Sequence, residues 1–146
     1  MTLITLVDKI TKCLDGGDIL LKKLYSYGIR GATWKWFDSY LSNRSQYVMY
    51  DNEKSDIRDI TFGIPQGSIL GPLLFLIYIN DFAGVSEKLY FVLFADDTNV
   101  FISGKNLDTL INEMHIELSK LTTWLQANKL TLNLTKTQYM VFHRRK

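Results

Sequence analysis

The sequence has few of the residues that cross-link or interrupt a chain. Cys13 is the only cysteine among 146 residues, which excludes an intramolecular disulfide and a cysteine-rich zinc site. The longest apolar run, Ile69 to Ile79, is too short to cross a bilayer, and the pair Gly71-Pro72 interrupts it. The first residues lack the basic start and long apolar middle of a signal peptide. We therefore expect a chain with no membrane partner that stays inside the cell, in the nucleus or the cytoplasm, and is not secreted.

The composition is that of a globular protein. Hydrophobic residues make up 47% of the chain and charged residues 22%, which is unlike a disordered sequence. A length of 146 residues suffices for one domain with a sizeable core but not for two. The net charge of +2, from 17 basic and 15 acidic residues, supports a nucleic-acid partner only weakly.

Two adjacent acids, Asp96 and Asp97, join two short apolar runs between Leu89 and Ile102. The runs favour extended chain and predict a buried hairpin. Two carboxylates about 4 Å apart repel by roughly 4 kcal/mol near a protein surface. A divalent cation such as Mg²⁺ would turn that repulsion into attraction. The alternative is a pair of solvated turn residues, but a rigid apolar hairpin can aim both side chains at one point.

The second informative stretch, Gly63 to Pro72, holds both prolines of the chain. Its glycines would let the backbone approach a ligand closely, and Gln66 and Ser68 could hydrogen-bond to a base or a sugar. Pro72 suits the first turn of a helix that is predicted over Leu73 to Asn80. The alternative is a stiff strand-to-helix connection that binds nothing.

Three helices are predicted before residue 42. Apolar residues at helical spacing predict a first helix from Met1 to Leu14. Asp18 is expected to cap a second helix that ends at Gly28, and Thr33 a third that ends near Leu41.

A hairpin is predicted next, with strands at residues 46–50 and 57–62 across a polar turn. Arg44 lies just before it and could either contact a phosphate or remain solvated.

The last third of the chain predicts a long helix from Leu107 to about Asn128, capped by Asn106. Two extended segments, residues 130–134 and 138–142, are expected around a turn that holds Lys136. The complete order predicts an α+β fold, a mostly antiparallel sheet with helices packed on one face.

Four stretches taken together resemble one family, the reverse transcriptases of non-LTR (LINE-type, jockey-like) retrotransposons. They are residues 40–48, residues 63–81, residues 94–97, and residues 124–133 with Lys136 and Thr137. The proline-glutamine-glycine stretch and the acidic hairpin, in this order and at this spacing, carry most of the likeness.

The resemblance implies a partial palm, with fragments of the fingers, of a right-hand polymerase. Such an RNA-directed DNA polymerase uses an RNA template, a DNA primer, deoxynucleoside triphosphates (dNTP) and two Mg²⁺ (or Mn²⁺) ions for phosphoryl transfer. It implies that Asp96 and Asp97 are catalytic and bind the metal, and that Lys136 lies near the departing pyrophosphate. The loop that meets the template base and the incoming nucleotide would be formed by Pro65, Gln66, Gly67 and Ser68.

One motif of the family is missing. A third metal-binding aspartate on an earlier strand is expected where the chain passes directly from Gly17 to Asp18. This implies that residues 1–146 form a partial reverse transcriptase domain with an internal deletion near residues 17–18. Asp8, Asp15 and Asp18 lack an apolar strand context and are not assigned to the site. We therefore expect little or no polymerase activity; the alternative is a non-catalytic remnant of a retroelement that binds nucleic acid or a partner.

Overall fold

The computed structural model describes residues 2–11, 17–60, 63–65, 67–95 and 97–143, with the backbone alone for residues 2–11 and 143. The elements in chain order are β1 (Thr2–Thr11), α1 (Asp18–Ser26), α2 (Gly31–Leu41), β2 (Arg44–Gln46), β3 (Met49–Tyr50), β4 (Glu53–Lys54), β5 (Arg58–Ile60), α3 (Leu70–Ile79), the 3₁₀ helix η1 (Phe82–Val85), β6 (Tyr90–Phe94), β7 (Asp97–Gly104), α4 (Leu107–Ala127), β8 (Thr131–Leu132) and β9 (Gln138–His143).

These elements form two compact units. The first unit comprises residues 1–12 and 79–146, and the second comprises residues 13–78. The α+β class is confirmed, because helices and short antiparallel sheets make up the described residues. The assignment of residues 1–146 to one partial domain stays a prediction.

The first unit is built on a sheet of five described strands in which β1 is central. The strand order is β6-β7-β1-β8, and β9 also pairs with β1. On one side β1 runs antiparallel to β7, from the pair Thr2 and Gly104 to the pair Lys9 and Asp97. On the other side it runs antiparallel to β9 and, at its end, to β8.

The predicted helix from Met1 to Leu14 is therefore wrong over residues 2–11. Of the ten residues of β1, six are β-branched threonine, valine or isoleucine, which suit extended chain. Partner strands on both sides also satisfy its backbone groups, and that tertiary pairing overrides the helical spacing of its leucines. Asp8 consequently lies in a strand, contrary to the sequence reading.

The two extended segments predicted around the Lys136 turn both find their partner elsewhere in the chain. Residues 131–132 and 138–143 are strands, as expected, but each pairs with β1 in the described sheet. Their partner comes from the other end of the chain, which a local turn signal cannot reveal.

The long helix α4 confirms its prediction and covers one face of this sheet. Asn106 caps it, because its Oδ1 accepts the N–H of Thr109 at 3.1 Å. α4 contacts β7, whose alternate residues Thr98, Val100 and Ile102 are buried. The helix buries Leu110, Met114, Leu121 and Leu125, whereas Leu107 and Ile111 from the same predicted stripe remain 39% exposed.

The second unit contains α1 and α2, which contact each other. Trp34 Nε1 donates a hydrogen bond to the carbonyl of Leu21 at 3.2 Å. Both helices were predicted, but α1 begins at Asp18 with Gly17 as its N-cap, and α2 begins at Gly31 rather than after Thr33. Neither predicted N-cap is used, since no side chain makes a capping hydrogen bond at the start of α1 or α2.

The predicted hairpin over residues 46–62 is present as two short ladders. β2 pairs with β5, and β3 pairs with β4 around Asp51 and Asn52, whose positive φ angles of 49° and 64° form the turn. Thr61 and Phe62 lie outside the described residues. Pro72 stands in the first turn of α3, as predicted, and Lys23 Nζ donates to the carbonyl of Tyr78 in that helix at 2.6 Å.

Candidate functional site

The acidic hairpin is formed by β6 and β7, as the sequence predicts. Phe94 is the Cα partner of Asp97, and Ala95 follows β6 in a turn. Ala95 has a φ of 51°, the left-handed conformation that such a tight turn requires and that glycine usually supplies. Asp96 lies outside the described residues, so its metal-binding role stays a prediction.

Asp97 is the first residue of β7 and is half-buried, with Oδ1 shielded from solvent. Residues alternate between the faces of a strand, so Asp97 lies on the face opposite the buried Thr98. Directly paired residues share a face, and Asp97 therefore shares its face with Phe94. On the other side, its Cα partner is Lys9 of β1.

Lys136 lies at the same end of the sheet as Asp97. β7 and β9 flank β1 and run in the same direction, so both begin at that end. Lys136 is exposed and stands two residues before Gln138, where β9 starts. Two strand spacings separate β7 from β9, about 10 Å. The phosphate contact of Lys136 stays a prediction.

The proline-glutamine-glycine loop belongs to the second unit and is closed by Ser68. Ser68 Oγ donates to the carbonyl of Pro65 at 2.8 Å and accepts the N–H of Gly71 at 3.1 Å. Gly67 has a φ of 76°, which justifies glycine at that position. The Ser68 hydroxyl is thus engaged in shaping the start of α3. Gln66 lies outside the described residues, and nucleotide or template contacts of Pro65, Gln66, Gly67 and Ser68 stay a prediction.

Arg44 has a role that neither sequence alternative anticipated. Its Nε donates to the carbonyl of Leu41 at 3.0 Å, and its Nη2 donates to the carbonyl of Gly63. The guanidinium therefore ties the end of α2 to the residue that opens the loop. No local pattern reveals this contact, because its two carbonyl partners come from positions 22 residues apart along the chain.

The comparison with known families decides what these motifs belong to. The profile of the family described as reverse transcriptase (RNA-dependent DNA polymerase) matches residues 17–145. The chain belongs to the reverse transcriptase family. The matched residues include the loop, the acidic hairpin and Lys136, and β1 precedes them.

The curated relatives of this reverse transcriptase fragment are retroelement proteins of Drosophila melanogaster. It is 28% identical over 114 residues to the RNA-directed DNA polymerase from mobile element jockey, which covers 73% of the chain and 12% of that relative. It is 27% identical over 108 residues to the probable RNA-directed DNA polymerase from transposon X-element, covering 71% of the chain and 12% of that relative. The chain thus spans about an eighth of their length. These findings confirm the predicted non-LTR, jockey-like reverse transcriptase resemblance.

Glu117 is a buried carboxylate that the sequence reading missed. It lies in α4 at 2% exposure, and its carboxylate oxygens accept Lys120 Nζ at 2.8 and 2.9 Å. Lys120 is the main cause of the lowered pKa of Glu117, followed by the hydrogen bond from Ser86. Ser86 Oγ in turn accepts the N–H groups of Lys88 and Leu89. Glu117 thereby holds the segment of this reverse transcriptase fragment that enters the acidic hairpin. The sequence contains one signal of this contact, the spacing of three residues between Glu117 and Lys120 on a helix.

The sheet face opposite α4 is apolar and exposed. Tyr90 and Phe94 are 69% and 77% exposed, and the rings of Tyr90 and Phe101 are 6.1 Å apart. Met140 and Phe142 of β9 are each at least half exposed. Aromatic rings on such a face can stack on the bases of single-stranded nucleic acid.

The predicted metal ligand Asp96 and the side chains of residues 2–11 lie outside the described side chains, so metal binding by Asp96 and Asp97 stays a prediction. No group of three or more His, Cys, Asp or Glu side chains gathers anywhere in the described ranges. In the strand beside Asp97, the residue at the paired position is Lys9.

None of the described helices is long and apolar enough to cross a membrane.

Proposed function

We propose that this chain is part of the palm, with fragments of the fingers, of a retrotransposon RNA-directed DNA polymerase, and that it is catalytically incomplete. The intact family would use an RNA template, a DNA primer, dNTP and Mg²⁺ or Mn²⁺. The observation that supports incompleteness is the surroundings of Asp97, where β1 supplies no paired carboxylate. Loss of several kcal/mol of transition-state stabilisation costs several decades of rate, at about 1.36 kcal/mol per decade.

Primer extension tests this proposal. Purified chain is offered an oligo-dT primer on a poly-rA template with dTTP and Mg²⁺ or Mn²⁺. An Asp96→Ala variant serves as the matched control, and far-UV circular dichroism establishes that both are folded. We expect incorporation no greater than that of the control. Incorporation that Asp96→Ala abolishes would contradict the proposal, because the hairpin would then work without the missing motif.

A second candidate function is non-catalytic binding of single-stranded nucleic acid. It is favoured by the exposed rings of Tyr90 and Phe94 on the sheet face. It is also favoured by Lys136, which lies at the end of the sheet where Phe94 and Asp97 are paired. A base stacked on an aromatic ring contributes roughly 1–3 kcal/mol, so Phe94→Ala should weaken binding of a labelled single-stranded RNA by about tenfold.

The matched control for that experiment is Tyr50→Ala, which removes an aromatic ring that is 82% exposed in the second unit. Fluorescence anisotropy of the labelled RNA measures both variants. Asp96→Ala should leave the affinity unchanged or slightly stronger, since it removes a negative charge near a polyanion. Equal losses in Phe94→Ala and Tyr50→Ala would argue against the sheet face as the binding surface.

A further inference from the structure

The helices α1 and α2 of the second unit form an open pocket of about 320 Å³. Residues on one face of each helix line it: Asp18, Leu21, Lys22, Tyr25, Trp34 and Asp38. Ligand pockets begin at roughly 300 Å³, so this volume suits a small group such as a single side chain. None of these residues belongs to the proline-glutamine-glycine loop or to the acidic hairpin.

The two carboxylates of the pocket lie at the same end of it. Residues 27–30 alone connect α1 to α2, and such a short connection makes neighbouring helices antiparallel. Gly17, the N-cap of α1, accordingly lies against Leu41, the last residue of α2: a Cβ atom added to Gly17 would be 3.1 Å from the Cβ of Leu41. Asp18 directly follows Gly17, and Asp38 lies one turn before Leu41. Both acids therefore belong to this end of the helix pair.

The rest of the pocket is apolar and aromatic. Leu21 is buried, and the indole of Trp34 is held beside it by the hydrogen bond to the Leu21 carbonyl at 3.2 Å. At the end opposite the carboxylates, the guanidinium of Arg30 lies 3.3 Å from the ring centre of Tyr25. The rim of the pocket thus already holds one guanidinium group by a cation–π contact.

The charge of the pocket favours a cation. Asp18 and Asp38 supply two carboxylates and Lys22 supplies one ammonium group, which gives a net charge of −1 in a chain whose total is +2. Asp38 Oδ1 accepts a hydrogen bond from Ser42 Oγ at 3.2 Å, and this bond orients the carboxylate. A guanidinium can fork to carboxylates and stack on an aromatic ring, whereas a lysine ammonium is a compact point charge. A phosphate would be repelled by the two carboxylates.

We propose that the pocket between α1 and α2 binds an arginine side chain of a partner polypeptide, with the guanidinium at Asp18 and Asp38 and the stem along Leu21 and Trp34. Charge complementarity identifies the occupant, and the aromatic walls favour arginine over lysine. The inference goes beyond the proposed function, because it assigns a protein-binding site to the second unit and does not depend on the acidic hairpin.

Titration of the full chain with two short peptides tests this inference without nucleic acid. One probe is an acetylated and amidated glycine-arginine-glycine peptide. The other replaces arginine with citrulline, which keeps the shape of the side chain and lacks its charge. The indole N–H signal of Trp34 in heteronuclear NMR spectra reports binding. We expect a saturable shift of this signal and an affinity for the arginine peptide about tenfold higher than for the citrulline peptide.

Two substitutions change the charge of the pocket in opposite directions. Asp38→Asn removes one carboxylate but keeps an oxygen that can accept the Ser42 hydroxyl, and it should weaken the arginine peptide about fivefold. Lys22→Gln removes an exposed positive charge and should strengthen binding about twofold. The matched control Asp59→Asn removes an exposed carboxylate from β5, outside the pocket, and should leave the affinity unchanged.

Equal affinities for the arginine and citrulline peptides would overturn the inference, as would equal affinities of the Asp38→Asn and Asp59→Asn variants. A glycine-lysine-glycine peptide that binds as tightly as the arginine peptide would refute the preference for a guanidinium. Loss of the fold in Asp38→Asn would leave Lys22→Gln as the deciding variant, and unchanged or weaker binding there would also overturn the inference. So would a Trp34 signal that single-stranded RNA shifts and the arginine peptide does not.

Discussion

Replacing Arg44 with alanine should loosen the loop that opens at Gly63. Arg44 is half-buried and donates hydrogen bonds to the carbonyls of Leu41 and Gly63. The substitution removes both bonds, so the loop entry loses this link to the end of α2. Arg44→Lys keeps the charge but loses the planar fork that serves two acceptors at once.

The size of the effect follows from those two bonds. A hydrogen bond from a charged donor contributes roughly 1.5–3 kcal/mol, and partial exposure places these two at the lower end. Because water can partly replace both bonds, we expect the opening free energy of residues 63–68 to fall by about 2 kcal/mol in Arg44→Ala. That decrease corresponds to roughly thirtyfold faster amide exchange. Arg44→Lys, with one bond retained, should fall between the native chain and Arg44→Ala.

Hydrogen exchange followed by mass spectrometry measures this prediction on peptides that cover residues 63–68. The matched control is Arg58→Ala, which removes an exposed arginine from β5, the partner strand of β2. Exchange in the loop should be unchanged in that control. If Arg44→Ala and Arg58→Ala gave the same exchange rates, the bond to Gly63 would not hold the loop, and the assigned role of Arg44 would be wrong.

Two further predictions concern the first unit. Leu110→Ala should lower the free energy of unfolding by about 3 kcal/mol, since Leu110 is 1% exposed. The control Leu107→Ala should lower it by less than about 1 kcal/mol, because Leu107 is 39% exposed. Equal shifts of the urea unfolding midpoint in the two variants would contradict the packing of α4 on the sheet. Because its folded-state pKa is lowered by Lys120 and Ser86, Glu117 should contribute its full stability above its ordinary pKa of about 4.3 and lose it as the pH falls through the lower folded-state value. Glu117→Gln should therefore be less stable than the native chain at pH 7, and the difference should shrink as the pH falls through the lowered folded-state pKa. A difference that does not change with pH would show that the charge of Glu117 is not what matters.

Much of the fold could be predicted because its signals are local. The stripe of α4, the cap at Asn106 and the paired apolar runs around Asp96 and Asp97 lie within short windows, and the predicted helix and hairpin match the structure. Residues 2–11 mislead the same reasoning. Their leucines follow a helical spacing, but their conformation is determined by β7 and β9, whose residues lie about 90 or more positions away.

The candidate site divides in the same way. The acidic hairpin and the proline-glutamine-glycine loop were recognisable as motifs, whereas the contacts of Arg44 and the burial of Glu117 depend on distant partners. Ser68 was correctly located in the loop, yet its hydroxyl turned out to make hydrogen bonds within the loop.

The sequence by itself determined the family and its two motifs, because residue identity and spacing in the loop and the acidic hairpin are sufficient to recognise them. Only the tertiary structure decided which residue stands beside Asp97. A strand exposes alternate residues on each face, and a shift of one position would have paired Asp97 with a different residue. The register that the sheet adopts pairs it with Lys9, and this pairing supports the incomplete site that we propose.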